Sequence, residues 1–458
     1  MQKSKKILII LIILFAIIIS TLLILLNRVY NLNNNTLNSD INKAHINNNN
    51  INIDISEDIK TEEINIVNKD TNRQINSVTS NVDYFTIKDL YIKYINLIGS
   101  RDTISVQNIL SNIYKEKYKI TDENIFNKLV VPQLTNEFEY YKYEITEMLK
   151  SKIHNNTYVY IIKGRCRIVN KENSQFDINI MIELDEFDNT YIIYPEEYLI
   201  DKGFNNLKIG DSIDYQKEEI TINTNNKFTY VTKNDSDVAN EYLSNLKELL
   251  LYYPDEAYNR LDKEYAKKRF GSKKGFINNI GENRTTIALM SLYKYKIVSK
   301  EEYVDYICSD KYDNIYILRQ KDGIMNYTIF LDNYTIMRDE DIEYYNKLDK
   351  YDKATYNLSK FIEMVNTKDY NSIYQVLDST FKSNNFTNIE KLKEYLKINM
   401  YEINNIEIND YDNDTYEYCI FYCKITNKKN KTESKDMTII INQNEGTEFT
   451  MSFSVNEE

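Results

Sequence analysis

Pro254-Asp255-Glu256-Ala257-Tyr258-Asn259-Arg260-Leu261-Asp262-Lys263-Glu264-Tyr265 decides how this chain is organised, because a second stretch runs in step with it. That stretch is Tyr370-Asn371-Ser372-Ile373-Tyr374-Gln375-Val376-Leu377-Asp378-Ser379-Thr380-Phe381. A constant offset of 116 sets Tyr258 on Tyr374, Leu261 on Leu377 and Tyr265 on Phe381. Continued without a gap, it sets Phe270 on Phe386, Phe276 on Leu392 and Ile280 on Leu396. Apolar residues recurring at one spacing over this length read as an internal repeat.

A fainter first copy, with helices around 109–129, is betrayed by its strands. Cys166-Arg167-Ile168-Val169-Asn170-Lys171-Glu172-Asn173 matches Cys423-Lys424-Ile425-Thr426-Asn427-Lys428-Lys429-Asn430 at an offset of 257. The middle copy carries Leu318-Arg319-Gln320-Lys321-Asp322-Gly323 at a comparable place. Each unit opens with an amphipathic helix. In the third, Leu358, Phe361, Ile362 and Val365 fall on one apolar face. Two shorter helices are predicted to follow, with Asp369 or Asp255 placed to cap the second. Strands close the unit: Tyr158, Tyr160 and Ile162 alternate with polar-facing positions, as do Ile439 and Ile441. Helices followed by a curved antiparallel sheet make an α+β unit.

This helix, D-Y-x-x-x-Y-x-x-L-like second helix, Phe-rich third helix and strands resemble the NTF2-like, cone-shaped α+β domain, in the versions found in extracytoplasmic proteins of Gram-positive bacteria. The resemblance covers three tandem units, at 83–200, 237–340 and 341–458. It implies helices packed on a curved sheet and does not choose between enzyme, ligand binder and spacer. Some family enzymes use an Asp–His pair in the cone, and no suitable His is present here. Between the first two units, Ile220-Thr221-Ile222 and Phe228-Thr229-Tyr230 predict a β-rich connector at 201–236.

Upstream, Ile7 to Leu26 is a run of twenty residues without a charge, long enough to span a hydrocarbon core of ~30 Å. Lys3, Lys5 and Lys6 precede it, which orients 1–6 as a cytoplasmic tail and the rest outside a cell membrane crossed once. The run lacks a small-x-small cleavage site, so an uncleaved transmembrane helix at 7–26 is expected. Residues 27–82, rich in Asn, Asp, Thr and Ser, read as a disordered linker spanning roughly 40 Å.

The 458 residues include nine Gly, three Pro, no Trp and 41 Tyr, a bias that follows AT-rich codons. A net charge of −12 disfavours nucleic acid as a partner. His45 and His154 are the two histidines, too few for the usual hydrolase and zinc constellations, and no cofactor or metal is expected. Ser379-Thr380-Phe381-Lys382 fits an S-x-x-K pattern, as does Ser244-Asn245-Leu246-Lys247. Phe381 holds a repeat core position, however, and no Lys-Thr-Gly follows. Asp410-Tyr411-Asp412-Asn413-Asp414 imitates a calcium loop but has Thr415 and Phe421 where Gly and Glu belong. Cys419 and Cys423, four apart in a strand, are roughly 13 Å apart, too far for a disulfide. All four cysteines read as inert core thiols.

Lys267-Lys268-Arg269-Phe270-Gly271-Ser272-Lys273-Lys274 is the one dense basic stretch. Lys267, Lys268, Arg269, Lys273 and Lys274 therefore form a candidate patch for an anionic wall polymer or an envelope protein partner. Triplication without a catalytic set predicts a membrane-anchored, extracytoplasmic, non-enzymatic interaction or scaffold protein of the cell envelope. The alternative is a small molecule held in a cone, motivated by Tyr416, Tyr418, Ile420 and Tyr422 on one strand face.

Overall fold

Helices lead and a sheet follows, three times over. The computed structural model describes residues 73–129, 141–168, 175–215, 226–413, 418–444 and 446–455. The first unit holds β1 (Asn76–Ser77), α1 (Asn81–Gly99), α2 (Thr103–Ile109), α3 (Asn112–Tyr118) and α4 (Ile125–Lys128). Then come β2 (Tyr141–His154), β3 (Thr157–Ile168), β4 (Gln175–Asp185), β5 (Thr190–Pro195) and α5 (Glu196–Lys202). The second has α6 (Asp235–Tyr252), α7 (Pro254–Asn259), α8 (Lys263–Phe270), α9 (Lys273–Glu282), α10 (Arg284–Ala288) and strands β6 (Lys294–Ser299), β7 (Val304–Ser309), β8 (Ile315–Gln320) and β9 (Tyr327–Phe330). The third has α11 (Asp339–Lys347), α12 (Lys350–Asn366), α13 (Tyr370–Val376), α14 (Ser379–Asn385) and α15 (Ile389–Asn399). Its strands are β10 (Asn404–Asp412), β11 (Tyr418–Asn427), β12 (Ser434–Gln443) and β13 (Phe449–Val455).

All three sheets are antiparallel meanders in chain order, with β1 added at the edge of the first. The same bridge recurs in each: Leu110 pairs in parallel with Ile193, Leu261 with Ile329 and Leu377 with Met451. In every case the chain leaving the short helix that follows the unit's longest helix touches the last strand. Leu261 and Leu377 are the pair that the offset of 116 matches.

Local chemistry explains the starts of the helices. Asp102 and Asp369 cap α2 and α13 by accepting from Ser105 N and Ser372 N. In the second unit Pro254 occupies the first turn of α7 instead, so Asp255 lies inside the helix and pairs with Lys273. Along α12, Leu358, Phe361, Ile362 and Val365 are all buried. One apolar core runs through the first two units, from Ile75 to Phe330, and the third unit has its own, from Tyr334 to Phe453.

Several expectations need correction. Among the described residues no helix is long and apolar enough to cross a membrane. The longest, α1 and α6, are amphipathic: Asp83, Lys88 and Asp89 interrupt the one and Asp237, Glu241 and Glu248 the other. The transmembrane part of the expected fold class, and the cell-membrane placement drawn from it, are corrected on that finding; residues 7–26 lie outside the described residues. The linker does not run to 82, because Ile75 and Val78 are buried and β1 pairs with β2. Within 201–236 the described residues form the end of α5, a 3-10 turn at Phe204–Asn206 and isolated bridges rather than strands. Ile220-Thr221-Ile222 lies outside them. The boundary placed between 340 and 341 falls inside α11. Finally, β3 does not alternate: Val159, Tyr160, Ile161 and Ile162 are all buried, because both faces of this strand are covered.

Candidate functional site

The basic stretch is a turn between two helices. Gly271, at φ +67°, ends α8, and Ser272 caps α9 by accepting from Gly275 N. Gly275 is required here, since a Cβ would stand 2.2 Å from the Phe270 carbonyl oxygen. Lys267, Lys268, Lys273 and Lys274 are exposed. Arg269 is not: it is 4% exposed and leaves the patch predicted for it. The reason is helical spacing, which puts Arg269 on the buried face with Tyr265 and Ala266.

Arg269 reaches into the joint between the second and third units. Its Nε donates to Asp332 Oδ2 at 3.1 Å, and its Nη1 lies 2.7 Å from Asp369 Oδ1. Both aspartate side chains are fully buried. Asp332, just past β9, also accepts from Tyr265 Oη at 2.8 Å and from Thr335 Oγ1 at 3.0 Å. Asp369, the cap of α13, accepts from Tyr334 Oη at 3.1 Å. A single guanidinium thus ties the end of one unit to a helix start in the next, with the fork geometry that suits Arg to carboxylates. The two aspartates hold the guanidinium firmly protonated, against the opposing pull of burial.

Two more ionisable groups lie beside it on α12. Burial, then Asp332, pushes the Glu363 carboxyl well above the usual range. Burial pushes the Lys360 ammonium down to about 8, with Glu363 acting against it. Around this centre, Asn279 and Asn283 donate to the Thr367 carbonyl oxygen at 3.2 and 3.0 Å, and Lys368 donates to that of Glu282. Lys393 pairs with Glu282 across the same joint. The Thr367 turn borders a partly open cavity of about 40 Å³ that Ile280, Ile287 and Tyr316 also line, room for a water or two.

The remaining sequence candidates do not converge. Lys382 of the S-x-x-K match donates to the Tyr374 carbonyl oxygen, away from Ser379. Asp410 and Asp412 lie in β10, paired with Tyr422 and Ile420, rather than in a loop. On β11 the buried residues are Cys419, Phe421, Cys423 and Ile425, so Tyr418, Ile420 and Tyr422 occupy the opposite, less buried face. Tyr416 lies outside the described residues. Cys166, Cys308, Cys419 and Cys423 are free and buried, and burial pushes the Cys166, Cys308 and Cys423 thiols up to about 12. His154 ends β2 at the turn into β3, and His45 lies outside the described residues.

Sequence reasoning missed Asp332 and Asp369 as partners of Arg269, and Glu363 and Lys360 as buried ionisable groups. One signal was available: the residue matching Arg269 at the offset of 116 is Asn385, which is exposed, so the charge at 269 answers to something particular to the second unit. No family model, no curated protein and no solved structure matches the chain.

Proposed function

We propose that this protein is a non-enzymatic interaction scaffold, in which three NTF2-like units are held at fixed spacing and offer the exposed lysines of the α8–α9 turn to an anionic partner. The observation that carries the reading is the buried position of Arg269 between Asp332 and Asp369. A chain that only linked its units flexibly has no use for a desolvated ion triad at the joint. The same residue run that locks the joint also displays Lys267, Lys268, Lys273 and Lys274 to solvent. In an acidic protein such a local excess of cations draws an acidic protein surface or an anionic polymer.

The test is crosslinking of the tagged full-length chain in cells, with captured species identified by mass spectrometry. Changing Lys267, Lys268, Lys273 and Lys274 together to Gln, with Arg269 left in place, is expected to abolish capture of the specific partner while the melting temperature stays unchanged. Undiminished capture by the quadruple variant refutes the lysine turn as the docking point, and absence of any captured partner refutes the scaffold reading.

A further inference from the structure

The seam between the first and second units contains a cleft of about 260 Å³, apart from the basic turn and made of different residues. Lys142 and Arg167 reach it from β2 and β3 of the first unit. Ser244, Lys247 and Glu248 reach it from α6 of the second, over an apolar floor that includes Leu243 and Met290. Three cations thus meet one carboxylate inside a protein whose net charge is −12.

The charges are not equally committed. Arg167 Nη2 donates to both Glu248 oxygens at 2.8 Å, and the guanidinium lies 3.5 Å from the Tyr252 ring centroid, so this pair is satisfied within the wall. Lys247 donates to the Met290 carbonyl oxygen at 3.1 Å. Burial, then Lys142, pushes its ammonium below the ordinary lysine value, with Glu248 acting against them. The Lys142 ammonium makes no hydrogen bond or ion pair among the described residues. Two ammonium groups therefore repel one another beside open space, with the Ser244 hydroxyl one helical turn from Lys247. An anion seated there cancels the repulsion and gains charge-assisted hydrogen bonds.

We propose that this cleft binds a small organic phosphate monoester. The phosphate, carrying a charge of about −1.5 to −2 near neutral pH, sits between Lys142 and Lys247 with Ser244 donating to it. Its charge matches the two ammonium groups, and tetrahedral oxygens accept from donors that converge from two units. The organic body lies on Leu243 and Met290. At about 260 Å³ the cleft has room for a body the size of a single aromatic ring beside the phosphate.

Isothermal titration of the full chain with phenyl phosphate tests the assignment, with inorganic phosphate and phenol as companion probes. Phenyl phosphate is expected to bind, inorganic phosphate more weakly, and phenol not at all. Lys142→Gln and Lys247→Gln are each expected to weaken phenyl phosphate at least about tenfold, as loss of a charge-assisted contact does, while Lys208→Gln, outside the cleft, leaves it unchanged. Lys142 is exposed, so its variant separates lost binding from lost folding, and melting curves with and without ligand check this. Absence of heat with phenyl phosphate, or wild-type affinity in Lys142→Gln, overturns the site. Equal affinity for inorganic phosphate and phenyl phosphate overturns the ester assignment.

Discussion

Lys360 is a buried lysine with no carboxylate in hydrogen-bonding range among the described residues: its Nζ lies 3.2 Å from Met337 Sδ and 4.8 Å from the Tyr356 ring centroid. Its folded pKa of about 8 is below the unfolded lysine value near ~10.4. The neutral form is thus favoured in the fold. Its contribution to stability is present in full above the unfolded value and is lost as pH falls through about 8. Glu363 runs the other way, its raised carboxyl favouring the protonated form, so that its contribution falls as pH rises through the folded value. Lys360→Met isolates the lysine. The variant is expected to be more stable than wild type at pH 7 by about 3 kcal/mol, with most of the gap gone by about pH 10. Urea midpoints at the two pH values read it, and a gap that does not change with pH sinks the account. Neither group was legible in the sequence, because burial of an ion depends on what the next unit lays over it. Arg269 was half legible: its spacing from Tyr265 marks the buried face, yet its four lysine neighbours pull the reading outward.

At the scale of elements, the faces of helices were readable and the faces of strands only in part: Ile439 and Ile441 are buried in alternation as their spacing indicates. Leu358, Phe361, Ile362 and Val365 repeat with the helical period and are buried together. On β3 the residues Val159 to Ile162 are apolar on both faces, and no period distinguishes a strand covered twice from one covered once. On β11 alternation was present, but which side faces the helices required the helices. The α8–α9 turn depends on Gly275 more than on its charges. Gly275→Ala places a methyl against the Phe270 carbonyl and is expected to cost about 1–3 kcal/mol. A thermal melt checks it, and a variant as stable as wild type would show that the turn opens without penalty.

Across the whole molecule the two seams differ in kind. The first and second units share an apolar core, reinforced by Arg165 with Glu256 and Arg167 with Glu248. The third unit keeps a core of its own and meets the second mainly through polar groups. Residues 73–330 are therefore expected to unfold together and the third unit apart from them. Arg269→Ala leaves Asp332 and Asp369 buried without their cation, a loss of about 3–5 kcal/mol, and is expected to separate the two transitions further. Calorimetry and hydrogen exchange resolve them; a single transition in both proteins would mean the joint is as cooperative as a core. The spacing of apolar residues pointed to units, but it carried nothing about the seams, since those contacts join residues that no period relates.

The Arg269 joint also has a mechanical meaning. Tension applied along the chain spreads over a broad apolar contact at the first seam, where many weak attractions must be sheared together. At the second, much of the load falls on one guanidinium, a few amide groups and lysine–carboxylate pairs such as Lys393 with Glu282. Pulled from its ends, the array yields there first, and the third unit swings free while the other two keep their shape.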